Sequence, residues 1–215
     1  MNIIINISKS MLLISVTMIF ISSSCNKDST RPCSSYTPYS FKITSEWLLQ
    51  QELYHIGDTL ILTSTFPKIL TDYSTLNLHQ VDYSNAVSIA SGAIFYSLDS
   101  VQHQYIGGVS KFNLFSIYGS ILPSTVTPQE HTDLIFQEQA NNFFLKIGII
   151  AKEKGIFALY ISNGGSEGIR GKNCTNAAFD MTVTNSDKHV GLFQFAMQQT
   201  PDVEQQRKIY CFRVQ

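Results

Sequence analysis

Residues 164–168, Gly-Gly-Ser-Glu-Gly, match the G-x-S-x-G pattern of serine hydrolases, and Ser166, Asp180 and His189 follow one another in the order nucleophile, acid, base. A serine activated in that way sits on a strained turn between a strand and the N-terminus of a helix. The residues that follow, IRGKNCTNAAF, carry no helical period, and 23 residues from serine to histidine are too few for the intervening strand and helix units. The stretch reads instead as a Gly-rich loop joining two strands. Five histidines, His55, His79, His103, His131 and His189, are scattered without H-E-x-x-H or His-x-His spacing, so no zinc ligands are nominated. Acids are dispersed as well, which leaves no carboxylate pair for glycoside hydrolysis. Asp180 reads as a solvated residue on the polar face of its strand. No catalytic, metal-binding or cofactor-binding residue is nominated, and a non-enzymatic role is expected.

The remaining reactive side chains are four cysteines, Cys25, Cys33, Cys174 and Cys211, with no C-x-x-C pair and no histidine near them. They suit disulfide or thioether chemistry rather than metal binding. With Cys25 set aside, three cysteines allow one bridge within the chain. The pairing expected is Cys174 to Cys211, which would close a loop contributing roughly 4 kcal/mol through chain entropy. The alternatives are a bridge through Cys33 or no bridge.

The elements that must position these side chains have a period of two. Phe41 and Ile43 alternate with Lys42 and Thr44, and Leu60, Leu62 and Phe66 with Thr59, Thr63 and Thr65. Phe143, Leu145, Ile147, Ile149 and Ala151 form one face of a third strand, Phe157, Leu159 and Ile161 of a fourth, and Ala177, Phe179, Met181 and Val183 of a fifth. Residues 86–98 and 208–214 add strands. Turn signals at Gly57-Asp58, Gly107-Gly108, residues 152–155 and residues 185–188 punctuate them. Strands so spaced predict an all-β, antiparallel Ig-like sandwich. The one helix signal singled out is Thr127-Pro128-Gln129-Glu130, a capping-box pattern. Trp47, the only tryptophan, is expected in the core, because Leu48 and Leu49 beside it also want cover.

The N-terminus has a different composition. Residues 1–10 carry one charge, Lys9, and residues 11–21 (MLLISVTMIFI) carry none. A positive lead, an apolar run and small residues make a secretory signal. A membrane span needs about 20 apolar residues, and Lys9 interrupts the run. Residues 25–40 hold eight Ser, Thr or Pro in sixteen positions and cannot bury enough apolar surface to order themselves. Such a segment spans roughly 20–24 Å on average. The expected division is a signal over 1–24, a flexible tether over 25–38 and a sandwich domain over 39–215. Without residues 1–24 the chain carries fourteen basic and sixteen acidic residues. That balance supplies no basic field for nucleic acid.

Ile21-Ser22-Ser23-Ser24-Cys25 resembles the lipobox of bacterial lipoproteins, with Ser22 where leucine is usual. The resemblance implies cleavage between Ser24 and Cys25 and lipid attachment to the Cys25 thiol. Asn26 is not the aspartate that retains such proteins at an inner membrane, so the outer membrane is implied, with exposure at the cell surface left open. "YHIGDTLILTSTF" (54–66) resembles an early strand of Ig-like extracellular domains, and "FFLKIGIIAKEKGIFALYISNG" (143–164) a later strand pair. With the closing "YCFRV" (210–214), these resemble lipoproteins of Bacteroides-type bacteria. The resemblance carries location and fold, and no activity. In that setting Asp28-Ser29-Thr30, Asp58-Thr59-Leu60 and Asp99-Ser100-Val101 resemble short O-glycosylation signals, of which Ser29 in the tether is the exposed copy. The function expected is an anchored binding or adhesion module for a protein or glycan ligand. The alternatives are glycan capture and processing, or an assembly subunit pairing through a strand edge.

Overall fold

Phe41, Ile43, Ser45 and Trp47 are buried while Lys42, Thr44 and Glu46 between them are exposed, so the first strand, β1 (Tyr39–Leu48), turns one face to a core and the other to water. The same alternation runs through the computed structural model, which describes residues 39–123, 130–184, 186 and 188–215. After β1 come β2 (Leu53–Tyr54), β3 (Thr59–Pro67), β4 (Ile69–Asp72), β5 (His79–Asp82), β6 (Ala86–Val87), β7 (Ala90–Asp99) and β8 (Gln104–Gly107). A 3-10 turn (Val109–Lys111) leads to β9 (Phe112–Tyr118), β10 (Ser120–Pro123), β11 (His131–Ile135), β12 (Gln137–Gln139) and β13 (Asn142–Ala151). The chain ends through β14 (Gly155–Ser166), β15 (Gly168–Ile169), β16 (Ala177–Thr184), helices α1 (Val190–Met197) and α2 (Val203–Gln206), and β17 (Ile209–Val214).

The expected all-β sandwich is present. One layer runs β10, β11, β7, β14, β17 and β2, with β8 continuing along β7; the other runs β13, β3, β1 and β16, with β12 and β9 in succession along the outer side of β13. β14 joins them. Its residues 155–160 pair with β17, and its last three, Gly164 to Ser166, pair with β16. The pairing with β7 slips between Ile161 and Gly164, and there Asn163 Oδ1 accepts the Met181 N–H at 3.0 Å in place of a ladder carbonyl. Such a bulge bends a strand from one sheet toward the other.

Between the layers lie Phe41, Phe66, Phe95, Phe112, Phe157, Phe179 and Phe212 with Tyr54, Tyr83 and Tyr210, all buried. Trp47 is in this core as expected, its ring stacked on Tyr210 at 5.2 Å. A second cluster lies on the other face of β7, β14 and β17, where Leu98, Ala158, Ile209 and Cys211 meet Leu192, Phe193, Ala196 and Met197 of α1. β17 is buried on both faces, so its sequence runs apolar without alternation.

Three expectations need correction. The sheet is not wholly antiparallel: β1 pairs with β16 and β17 with β2 in parallel. Each parallel pair is far apart in sequence, so no hairpin turn dictates its direction. Two short helices follow β16, and the capping box that opens α2 is Asp202 with Gln205; the Thr127-Pro128-Gln129 signal lies outside the described residues. Third, Cys174 and Cys211 are not bridged. Cys211 is a free thiol, buried between β14 and α1, and burial pushes its pKa up to about 12. Cys174 lies exposed on the loop before β16 and is disulfide-bonded. Signal, tether, lipid site Cys25 and Ser29 fall outside the described residues.

Candidate interaction surface

The hydrolase-like residues do not converge. Ser166 Oγ donates to Val87 C=O at 2.8 Å and accepts the Gly168 N–H at 3.2 Å, which pins the end of β14 to β6. His189 Nδ1 donates to Cys211 C=O at 3.1 Å. Asp180 faces Arg207 and Lys208, each at 3.8 Å. Three residues in triad order thus serve three separate structural contacts. Residues 164–168 are strand ends rather than a loop: Gly164 to Ser166 close β14 and Gly168 opens β15, with Glu167 alone between them.

Two clusters that sequence order did not reveal also resolve as structure. Lys208 is buried with its Nζ donating to Asn163 Oδ1 at 2.9 Å and to Glu204, which ties α2 to the bend of β14. Glu204 is held below the usual carboxylate range, chiefly by that Lys208 bond. Beyond the bend, His131 Nε2 lies 2.7 Å from Asp133 Oδ1, and the ring covers Gly92 beside Ser162. Ser162 Oγ accepts the Gly92 N–H at 3.0 Å and donates to its carbonyl at 3.2 Å. That hydroxyl proton serves the backbone bridge across the bulge, so the serine is not poised for attack. Among the described residues no group of three His, Cys, Asp or Glu side chains could hold a metal ion, and no helix is long and apolar enough to cross a membrane.

The surface that remains is a strand edge. β9 pairs with β13 along residues 146–151 and, among the described residues, has no strand on its other side. Its first residues are anchored inward: Phe112 is buried against Phe95, Phe157 and Phe212, and Leu114 packs on the same core. From Phe115 onward every side chain of β9 is exposed. The register shifts within this stretch: Ile147 opposes Ser116 whereas Lys146 opposes Tyr118, so that Ile117 is the extra residue of a bulge. Phe115 is on the outer face by alternation with Phe112 and Leu114, and past the bulge Ile117 and Tyr118 are turned to solvent as well, each of the three more than 40 % exposed. Phe115 lies flat over Gly148, where a Cβ would collide with the ring. The Tyr118 ring sits 5.9 Å from that of Phe144. Leu122 of β10, past the Gly119 turn, is exposed as well.

The element shows no period of two in sequence, because Phe115 and Ile117 stand on the face opposite Phe112 and Leu114. The available signal was compositional: FNLFSIY is rich in aromatic and β-branched residues, free of Gly and Pro, and bounded by Gly119.

No protein-family model matches the chain, and no curated protein matches it in sequence. Among solved structures, the second type II cohesin module from the cellulosomal adaptor ScaA scaffoldin of Acetivibrio cellulolyticus is similar at 10% identity and a TM-score of 0.30, over 66% of this chain and 92% of that one. A likeness of that size carries no argument about this chain.

Proposed function

We propose that the chain is a non-catalytic binding module, held at the bacterial outer membrane by a lipid on Cys25, that takes up a strand of a protein partner along the free edge of β9. The observation that carries the reading is that, among the described residues, no strand pairs with the outer edge of β9, on which Phe115, Ile117 and Tyr118 are exposed. An edge strand presents N–H and C=O groups that another strand can satisfy, and the side chains beside it supply selectivity. Five residues from Leu114 to Tyr118 offer about 17 Å of edge. The engaged hydroxyls of Ser162 and Ser166 support a non-catalytic role. The anchor rests on the lipobox resemblance, and more than one acyl chain at Cys25 would make attachment stable at about 0.8 kcal/mol per buried methylene.

The edge is tested in intact cells with a photo-crosslinking amino acid at Tyr118 or, as a control, at the exposed Leu76. A discrete adduct is expected from position 118 and not from 76, reduced at least about tenfold when Ile117→Lys places a charge in the contact. Equal adducts from both positions, or indifference to Ile117→Lys, would refute the edge. The anchor is tested separately: radiolabelled palmitate incorporation should be lost in Cys25→Ser, and label retained in that variant would refute it.

A further inference from the structure

Leu76 and Leu78 protrude from the turn that joins β4 to β5, and Tyr73 stands at its base. We infer that this tip is a second membrane contact, laid among lipid headgroups at the end of the sandwich where β1 begins; the inference rests on the lipid reading of Cys25, which holds the chain at a bilayer.

The turn, Tyr73-Ser74-Thr75-Leu76-Asn77-Leu78, carries no charged side chain. Its polar groups are spent on the backbone. The buried Asp72 carboxylate accepts the N–H groups of Ser40 and Ser74 at 2.9 Å each and the Ser74 hydroxyl at 2.7 Å. Thr75 Oγ1 donates to Asn77 C=O at 3.0 Å. What faces outward is apolar: Leu76 is fully exposed, Leu78 59 % and Tyr73 41 %. Single exposed leucines are ordinary, whereas three large apolar side chains within six residues of one projecting turn form a patch. Lys42 borders it, its Nζ 4.6 Å from the centre of the Tyr73 ring. Leucines in front, with a phenol and a lysine behind them, match the boundary between acyl chains and headgroups.

The chain connects at the same end. Ser40 C=O accepts the Tyr73 N–H at 2.7 Å, so the tip begins beside the second residue of β1. A coil of fourteen residues, the separation of Cys25 from Tyr39, averages roughly 19–22 Å end to end. A lipid on Cys25 therefore keeps this end of the sandwich, rather than the other, near the bilayer. The contact also sets where the binding edge lies. Tyr118 opposes Lys146, Lys146 opposes Thr63 and Thr63 opposes Glu46, while Phe112 lies further along at Ala151. All of β9 is thus level with Glu46 or beyond it, about 20 Å along β1 from Ser40. A tip seated in headgroups leaves that edge clear for a partner strand.

The test reads tryptophan emission from the lipid-anchored protein in vesicles of phosphatidylethanolamine and phosphatidylglycerol brominated near the headgroup end of the acyl chains. Trp47 is buried in the core, so the parent protein supplies the background. Leu76→Trp is expected to shift to the blue and to lose intensity to the bromines. Val101→Trp is the control: Val101 is also exposed, and it follows the far end of β7, whose first residue, Ala90, is in the row of Gly165, Ala178 and Ser40. It should show neither change. Adding Leu78→Asp to Leu76→Trp should restore the lost emission, and high salt should not, because the tip is uncharged. Equal quenching at both positions, or none at Leu76→Trp in protein that stays with the vesicles, would overturn the contact and leave the anchor standing. A blue shift that grows with protein concentration in detergent alone would assign the tip to a second copy of the chain and overturn the contact as well. Protein that washes off the vesicles would overturn the anchor, and the contact with it.

Discussion

The phenol oxygens of Tyr54 and Tyr210 lie 3.1 Å apart inside the sandwich, 156 residues apart in the chain. Gln51 sits between them: its N–H reaches Tyr210 Oη at 3.0 Å, and its C=O accepts the Tyr210 hydroxyl at 2.9 Å. The Tyr54 hydroxyl donates to Leu49 C=O at 3.1 Å, and Leu49 itself is left-handed. Two buried phenols thus satisfy the backbone of the corner that carries the chain from β1 to β2.

Burial, the largest effect, raises the pKa of Tyr54, Tyr83 and Tyr210, and the phenol of Tyr54 raises that of Tyr210 further. In the unfolded chain each titrates near 10, so above that pH the unfolded state loses protons that the folded state keeps. Stability is intact below pH 10 and falls above it, by up to about 1.4 kcal/mol per pH unit for each tyrosine. Urea midpoints should be level to about pH 9 and drop beyond 10. Tyr210→Phe should cost about 1–3 kcal/mol at pH 7, because Gln51 C=O loses its donor, and should make the alkaline fall shallower. An unchanged midpoint at pH 11 would refute the assignment.

Asp72 closes the other end of β1. Burial alone would raise its pKa, but the Ser40 N–H at 2.9 Å, the Ser74 N–H at 2.9 Å, the Ser74 hydroxyl at 2.7 Å and the nearby His79 together hold it below its ordinary value of 3.8. A depressed carboxylate stabilises the fold above its unfolded pKa, and that contribution is lost as pH falls through the folded value. Asp72→Asn is expected to lose about 1–3 kcal/mol at neutral pH. Its urea midpoint should then depend less on pH below about 4 than that of the parent. Parallel acid profiles for the two would contradict this.

Gly92 and Gly148 separate stability from surface. At Gly92 a Cβ would stand 2.5 Å from Ser162 Oγ and collide with the His131 ring, and Ser162 is tied to the Gly92 backbone itself. Gly92→Ala should cost about 1–3 kcal/mol by thermal unfolding. At Gly148 the obstacle is the ring of Phe115, which is exposed and free to swing outward. Gly148→Ala should cost under about 1 kcal/mol while weakening the crosslink from Tyr118. The opposite ranking of the two variants would show that the Phe115 ring is locked.

Strands β1, β3, β13, β14 and β16 were legible because the side chains of each alternate within a few residues, and the faces assigned from that alternation are the buried ones. The exposed edge of β9 was not, since the bulge at Ile117 is defined only by the register across β13, where Ser116 opposes Ile147 and Tyr118 opposes Lys146. α2 was within reach: Asp202 and Gln205 spell its capping box, and both of its reciprocal bonds are made.

Local order determined strands β1, β3, β13, β14 and β16 and which face of each is apolar, because a period of two is a property of neighbouring residues. Tertiary structure alone decided that β1 lies parallel to β16, that Cys211 stays a thiol under α1 while Cys174 is bridged, and that β9 is left as an edge. Those outcomes depend on which distant segments meet, and backbone hydrogen-bonding groups are alike in every strand. The choice among partners was made by how the aromatic side chains fill the space between the two layers.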